Sequence, residues 1–216
     1  MKKYLLVLCC FISLLAINTH AENTALLDPA LWTKNWLSSE QGEKGVKFST
    51  YATLATISAD ETPHTRIVQI FDTQDYGLTF FTHKHSNKVQ HIQNNPHVAF
   101  NFWLPQTKRQ ISIEGQLYPL PKPYLEETWQ QMPKWMQFHF MGSDHKSPLP
   151  NQELLTQNVA KLEAQFPDKV PMPDIFIGYY LEPTQYTFFE VQTPKFTNKN
   201  VAKKTKTGWQ IQAMQP

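Results

Sequence analysis

Hydrophobic and polar residues alternate with a period of two along several short segments of the chain. Successive side chains of a strand point to opposite faces, so this alternation predicts strands with one buried face. It is clearest over residues 97–103, where positions 98, 100 and 102 are apolar, and over 109–120, where positions 111, 113 and 117 are apolar. Further strands are predicted over 51–58, 64–71, 78–82, 175–181, 185–191 and 209–214.

Apolar residues spaced three and four apart predict helices between these strands. A leading helix is expected over 25–39, and a short helix begins after Ser86 and ends at 94–96. Two more are expected over 123–132 and 134–140, and Asn151 is a suitable N-cap for a helix that ends at Phe166. Because helices and strands do not alternate regularly, we expect an antiparallel, mainly β barrel of the α+β class with flanking helices.

The first 21 residues have the layout of a secretory signal peptide. Lys2 and Lys3 precede a mostly apolar run over 4–17, and Thr19-His20-Ala21 offers a cleavage site. The run is shorter than the about 20 residues that a membrane span needs, so we expect export to the periplasm or the exterior without a stable span. The alternative is an uncleaved N-terminal anchor. After the signal peptide (1–21), we expect an N-terminal helix and connection over 22–50 and one domain over 51–216.

Removal of this segment changes the composition. The full chain has 20 Lys and Arg residues against 18 Asp and Glu residues, a formal net charge of +2. Loss of Lys2 and Lys3 leaves 18 of each, so no overall basic charge remains to favour nucleic acid. The only two cysteines, Cys9 and Cys10, are lost as well. Disulfides, cysteine nucleophiles and thiolate metal sites are therefore excluded from the mature chain.

Polar residues between positions 66 and 110 have the chemistry of a phosphate site. Arg66 lies in one predicted strand, Thr82 ends another, and Ser86 precedes a helix that contains Lys88. Two cationic side chains, hydroxyl groups and the free N–H groups of a helix N-terminus are suited to phosphate oxygens. Gln110 both donates and accepts hydrogen bonds, which suits the edge of a flavin ring.

Histidines are frequent in the same region, at positions 83, 85, 91 and 97, with 139 and 145 further along. Spaced imidazoles can bind a metal ion or haem. Their spacing follows no tight ligand pattern, so we predict no metal site and keep haem as an alternative ligand.

The order and spacing of these motifs resemble the FMN-binding core of the pyridoxamine 5'-phosphate oxidase family. The motifs are RIVQIF at 66–71, Phe81-Thr82, Ser86-Asn87-Lys88, Arg109-Gln110 and the closing Trp209–Pro216. The resemblance covers residues 51–216 and implies a split β-barrel that forms a homodimer with FMN at the interface. It implies FMN contacts from Arg66, Ile67, Val68, Phe81, Thr82, Asn87, Lys88, Gln110, Phe189 and Lys199.

Several positions depart from the family's pattern, mostly where the family binds its substrate. Phe71 replaces a lysine that touches FMN and substrate, and Lys195 begins the segment that replaces a substrate-binding Arg-Leu-His. The arginine and serine that hold the substrate phosphate fall at Met132 and Met136, and Lys134 is a neighbouring cationic substitute. We therefore place Phe71, Lys134 and Lys195 on the substrate side. Three more conservative replacements fall at positions that contact FMN in the family. His145-Lys146 replaces a Gln-Ser pair, Phe189 replaces a tryptophan that stacks on the flavin, and Lys199 replaces an arginine.

These features predict an FMN-dependent oxidoreductase that resembles pyridoxamine 5'-phosphate oxidase. The family's reaction moves a hydride from the substrate to the flavin, and O2 accepts the electrons, so no catalytic side chain is predicted. The expected substrate is pyridoxamine or pyridoxine 5'-phosphate or a related small molecule. The alternatives are an exported flavin- or haem-binding protein without this oxidase activity, and a structural dimer with an empty site.

Overall fold

The computed structural model describes residues 28–41 and 49–216. The predicted signal peptide and the connection over 42–48 lie outside the described residues. In the described part, no helix is long and apolar enough to span a membrane. The elements are α1 (Pro29–Gln41), β1 (Ser49–Ile57), β2 (Pro63–Thr73), β3 (Gly77–His83), α2 (Asn87–Asn94), β4 (His97–Leu104), β5 (Arg109–Pro119), α3 (Lys122–Gln131), α4 (Lys134–Gly142), α5 (Gln152–Gln165), β6 (Phe176–Glu190), β7 (Asn198–Thr205) and β8 (Gly208–Met214).

The eight strands form one sheet in the order β3-β2-β1-β4-β5-β6-β7-β8. β3 also pairs with β6, antiparallel, with Thr79 opposite Tyr180 and His83 opposite Phe176. This pairing closes β1 to β6 into a six-stranded barrel, which confirms the predicted α+β split-barrel fold. By their contacts the described residues form two compact units. The barrel unit is 49–100 with 114–182, and the terminal unit is 28–41 with 101–113 and 183–216.

The C-terminal strands differ from the prediction in two ways. The two strands predicted over 175–181 and 185–191 are one strand of 15 residues, β6, because the backbone stays extended through Pro183. Proline lacks an N–H group and is typical of turns, which is why the sequence indicates a break there. β7 was not predicted, because its sequence NKNVAKKT has no apolar alternation and buries only Ala202. The other elements are confirmed, with their ends shifted by a few residues.

A hydrophobic cluster forms the core between the helices and β6 in the barrel unit. Trp129 is 1% exposed, and its indole Nε1 donates a hydrogen bond to the carbonyl oxygen of Val170 at 3.0 Å. Phe138 is buried in the same cluster, whereas Trp135 is 58% exposed. The buried members of the cluster are Leu120, Leu125, Trp129, Phe138, Val170 and Phe176.

Gly178 in β6 provides a test of this packing. A Cβ atom at this position would lie 2.8 Å from side-chain carbons of Leu120 and Phe81 and 3.2 Å from one of Leu125. We expect Gly178→Ala to lower the free energy of unfolding by about 1–3 kcal/mol through overpacking, measured by thermal denaturation. If the clash is the cause, adding Leu120→Ala should cost less in the Gly178→Ala background than in the wild type. Additive effects would contradict the clash.

Aromatic side chains hold α1 in the terminal unit. The Trp32 ring stacks on Phe188 with 4.1 Å between centroids, and Trp36 meets the same ring edge-on at 5.4 Å. Near the end of the helix, the Glu40 carboxylate accepts hydrogen bonds from two backbone N–H groups of the turn between β4 and β5. These contacts show what the leading helix packs against. The spacing of its apolar residues predicted the helix but not its partners.

Candidate anion and cofactor site

Lys88 is the second residue of α2, and its ammonium group is bound by two buried hydroxyls. Its Nζ donates to Thr82 Oγ1 at 2.8 Å and to Ser86 Oγ at 3.0 Å. Ser86 occupies the predicted N-cap position, but its hydroxyl makes no capping hydrogen bond. The short connection from β3 into α2 therefore places Thr82, Ser86 and Lys88 together, as the sequence motif suggested.

The charge of Lys88 is poorly stabilised. Burial, followed by repulsion from Arg66, lowers the pKa of Lys88 to about 8. A cation in the first turn of a helix is also opposed by the helix dipole, which favours anions at that end. The two neutral hydroxyls supply hydrogen bonds but no countercharge.

Arg66 lies in β2 and reaches across to β1. Its Nη1 donates to Thr56 Oγ1 at 2.7 Å and to the carbonyl oxygen of Leu54 at 3.1 Å. A third contact joins Nη1 to the carbonyl oxygen of His64 at 3.2 Å. Burial lowers the pKa of Arg66. Arg66 is thus positioned by neutral oxygens, as Lys88 is.

Two neighbouring cations without a countercharge are the central property of this site. Within residues 28–41 and 49–216, neither Arg66 nor Lys88 forms an ion pair with a carboxylate. Partly buried charges are costly unless they are paired. A bound anion would supply the missing charge and would accept hydrogen bonds from Lys88, so the donor set fits a phosphate group.

Thr56 and His91 extend this site and were not predicted. Because the Arg66 guanidinium can only donate, Thr56 Oγ1 accepts from it. The same hydroxyl is also hydrogen-bonded to Nδ1 of His91, 3.0 Å away. Burial, followed by the neighbouring His64 and Arg66, lowers the pKa of His91. His91 lies three residues after Lys88, so α2 carries one cation, Lys88, and also the side chain that contacts Thr56 beside the other cation, Arg66. In the sequence, Thr56 is recognisable only as a residue of a predicted strand.

The apolar residues predicted to contact FMN lie on neighbouring strands. Ile67 is 71% exposed and pairs with Thr53, whereas the next residue, Val68, is half-buried. Phe81 is half-buried opposite Gly178, and its ring lies 5.5 Å from that of Phe71. Asn87 is exposed at the start of α2. Ile67 and Val68 directly follow Arg66 in β2, and Phe81 directly precedes Thr82 in β3.

Three predicted FMN residues belong to the terminal unit. Phe189 of β6 and Lys199 of β7 are cross-strand partners. Gln110 is half-buried, and its Nε2 donates to Ser112 Oγ at 3.4 Å. Their role in cofactor binding stays a prediction.

The predicted substrate-side lysines are exposed. Lys134 Nζ donates to the carbonyl oxygen of Pro167 at 2.6 Å in the barrel unit. Lys195 lies in the connection between β6 and β7 in the terminal unit. Their contact with a substrate stays a prediction.

The second arginine has a structural role. Arg66 and Arg109 are the only arginines in the sequence. Nε and Nη2 of Arg109 lie 2.7 and 2.6 Å from Glu190 Oε1, and its guanidinium lies 4.7 Å from the centroid of the Trp36 ring. Arg109 therefore forms an ion pair with Glu190 within the terminal unit.

Comparison with known proteins identifies the family. The model of the family named Pyridoxamine 5'-phosphate oxidase matches residues 39–166. A pyridoxine/pyridoxamine 5'-phosphate oxidase from Idiomarina loihiensis is 30% identical over 191 residues, which cover 88% of this chain and 90% of the relative. Another, from Alkalilimnicola ehrlichii, is 32% identical over 170 residues, covering 77% of this chain and 86% of the relative.

Solved structures show the same fold. PhzG from Burkholderia lata 383, in complex with tetrahydrophenazine-1-carboxylic acid, superimposes with a TM-score of 0.79 at 24% identity, covering 88% of this chain and 93% of that one. A pyridoxamine 5'-phosphate oxidase-related, FMN-binding protein from Nostoc punctiforme gives 0.66 at 19% identity, with coverages of 85% and 95%. The chain belongs to the pyridoxamine 5'-phosphate oxidase family.

Proposed function

We propose that this protein binds FMN and acts as an FMN-dependent oxidoreductase. The observation that carries the proposal is the pair of cations, Arg66 and Lys88, which neutral oxygens position and no carboxylate of the described chain neutralises. The phosphate of FMN would provide the missing negative charge. Family membership supports the same cofactor, because a structural neighbour in the family is named as FMN-binding.

Each residue of the site has a defined task in this proposal. Lys88 and Arg66 hold the phosphate, while Thr82 and Ser86 fix the direction of the Lys88 ammonium. Thr56 fixes the Arg66 guanidinium. Ile67 and Val68 supply apolar contact next to Arg66. FMN, when bound, supplies the hydride-accepting chemistry, so the side chains bind and orient rather than attack the substrate.

The substrate side lacks the arginine and serine that hold the substrate phosphate in the family, because Met132 and Met136 stand at those positions. Phe71 and Phe81 place two aromatic rings 5.5 Å apart beside the strand that carries Arg66. Aromatic rings favour an apolar or aromatic substrate surface over a charged one. We propose a small aromatic molecule as the substrate, with pyridoxamine or pyridoxine 5'-phosphate as the first candidates to test, and O2 as the electron acceptor.

Homodimer formation and export are further parts of this proposal. Tyr51 in β1 and Ile67 in β2 are large hydrophobic side chains that are 67% and 71% exposed in the single chain. A second copy of the chain would remove such side chains from water. The apolar run at the N-terminus supports export to the periplasm or the exterior.

The absorbance spectrum of the purified protein, with and without added FMN, tests the cofactor. We expect visible flavin absorbance that stays with the protein during gel filtration and saturates at one FMN per chain. Riboflavin, which lacks the phosphate, should be retained much less. Colourless protein that does not retain added FMN would contradict the proposal.

A second candidate function is flavin binding without oxidase activity. It is favoured by Phe71, which stands where the family has a lysine that contacts FMN and substrate. Oxygen consumption by the FMN-loaded protein in the presence of pyridoxamine 5'-phosphate distinguishes the two. Consumption at enzymatic rates indicates the oxidase, whereas FMN binding without consumption indicates a carrier or an enzyme with another substrate.

A further inference from the structure

Nη1 of Arg66 takes part in every hydrogen bond that the described residues make with this side chain. It donates to Thr56 Oγ1 at 2.7 Å and to the carbonyl oxygens of Leu54 and His64 at 3.1 and 3.2 Å. A guanidinium group has further N–H donors on Nε and Nη2, which lie along one edge of its plane. This edge is the fork that binds two oxygens of one anionic group, and it remains for a ligand.

Two of the three oxygens that hold Nη1 are fixed by the backbone. Leu54 pairs with Arg66, and Thr56 with His64, in the antiparallel ladder of β1 and β2, so both carbonyl groups keep their places. The third oxygen, Thr56 Oγ1, is the nearest to Nη1 and belongs to a side chain that has alternative staggered rotamers. The direction of the guanidinium therefore depends on what else holds the Thr56 hydroxyl.

His91 of α2 makes that second contact. Its Nδ1 lies 3.0 Å from Thr56 Oγ1, and Thr56 is 1% exposed. The imidazole is held in turn by the ring of His64, with 4.6 Å between centroids. The helix that carries it lies against β1, and its residues Val89 and Ile92 are buried, at 1% and 4% exposure. His91 therefore fixes the Thr56 hydroxyl from a firmly packed element.

We infer that His91 is a positioning residue for the phosphate group, which acts through Thr56 to direct the Nε and Nη2 edge of Arg66. The inference rests on the proposed function and adds to it a residue that is one hydrogen bond removed from Arg66. Because α2 also carries Lys88, the same helix sets the position of one cation directly and of the other through Thr56. Loss of the imidazole should weaken the contacts to the phosphate and leave those to the flavin ring unchanged.

Cofactor-free protein provides the first test, because Arg66 and Arg109 are its only arginines. Rotation of a guanidinium about its Cζ–Nε bond is measured from the arginine nitrogen signals in the NMR spectrum. We expect this rotation to be faster for Arg66 by about threefold or more in His91→Leu and in Thr56→Val, as for the loss of one hydrogen bond. Arg109, which is ion-paired with Glu190, is the internal reference. An unchanged Arg66 signal in His91→Leu would overturn the inference.

Two further variants separate positioning from a general disturbance of α2. His91→Asn keeps a side-chain amide atom close to the place of Nδ1 and should restore slow rotation of Arg66. Gln90→Leu changes an exposed neighbour on the same helix and should leave the Arg66 signal as in the wild type. Faster rotation in Gln90→Leu, or no recovery in His91→Asn, would contradict a positioning role for His91.

The ratio of FMN affinity to riboflavin affinity provides the second test. In His91→Leu we expect FMN to bind about 3–10-fold more weakly, while the affinity for riboflavin, which lacks the phosphate, changes by less than about twofold. An equal loss for both ligands, or an unchanged FMN affinity, would overturn the inference. Absence of FMN binding by the wild type would contradict the proposed function instead, and the Arg66 signal would still decide the role of His91.

Discussion

Replacing Arg66 and Lys88 together by alanine should weaken FMN binding by at least about 100-fold. Each charge-assisted hydrogen bond contributes about 1.5–3 kcal/mol, and about 1.4 kcal/mol corresponds to a tenfold change in affinity. Losing both cations removes the only positive charges that the described site offers without a paired carboxylate. Fluorescence titration of FMN with the variant and the wild type measures the effect.

Two controls separate the loss of phosphate contacts from a general change in the site. Lys84→Ala removes an exposed lysine four residues before Lys88 and should leave FMN affinity within about twofold, because surface charges act weakly. Riboflavin should bind the Arg66→Ala/Lys88→Ala variant as weakly as it binds the wild type, since it lacks the phosphate. Unchanged FMN affinity in the variant would refute the phosphate assignment.

Changing Lys88 alone to methionine should stabilise the protein without cofactor and weaken FMN binding. Methionine keeps an unbranched apolar stem and removes a charge that burial and Arg66 disfavour. The folded-state pKa of about 8 lies below the ordinary value of 10.5, so folding without a ligand carries a penalty whenever Lys88 is protonated. After allowance for solvent screening, this penalty is about 1–3 kcal/mol at neutral pH.

The shifted pKa of Lys88 also predicts how the stability of the cofactor-free protein changes with pH. Between about pH 8 and 10.5 the unfolded chain binds the Lys88 proton and the folded chain does not, so the stability of the cofactor-free protein rises with pH across this range. Lys88→Met should lack this contribution. At neutral pH we expect its Tm to be higher by about 2–12 °C without FMN, at about 2–4 °C per kcal/mol for a chain of this size. Saturating FMN should reverse the order, because only the wild type gains the phosphate contacts. Lys84→Met is the matched control, and a lower Tm for Lys88→Met without FMN would contradict the penalty.

Much of the fold was predictable because its strands are short and amphipathic. Alternation identified β4 and β5, and the motif from Thr82 to Lys88 correctly placed the start of α2. β7 escaped prediction because NKNVAKKT buries one small side chain and its pairing with β6 and β8 depends on backbone hydrogen bonds. Such pairing leaves no hydrophobic signature in a single sequence.

The site was predictable only in part, for a similar reason. Arg66, Thr82 and Lys88 stand in motifs with a recognisable order, so their chemistry was visible in the sequence. Thr56 and His91 act through a hydrogen bond between residues 35 positions apart. The histidines noted in the sequence also separate in the structure. His91 lies beside His64 near Arg66, while His83, His85 and His145 form their own group.

The continuity of β6 has a consequence for how this protein can be aligned and redesigned. Glu182-Pro183-Thr184 looks like a loop, and loops ordinarily tolerate insertions and deletions. In an uninterrupted strand, however, one residue added or removed sends every later side chain to the opposite face. Such a change at Pro183 would alter which β6 side chains face Lys199 and Ala202 of β7. Alignments of relatives should therefore be kept free of gaps through this tripeptide, and fusion or tagging sites are better sought elsewhere.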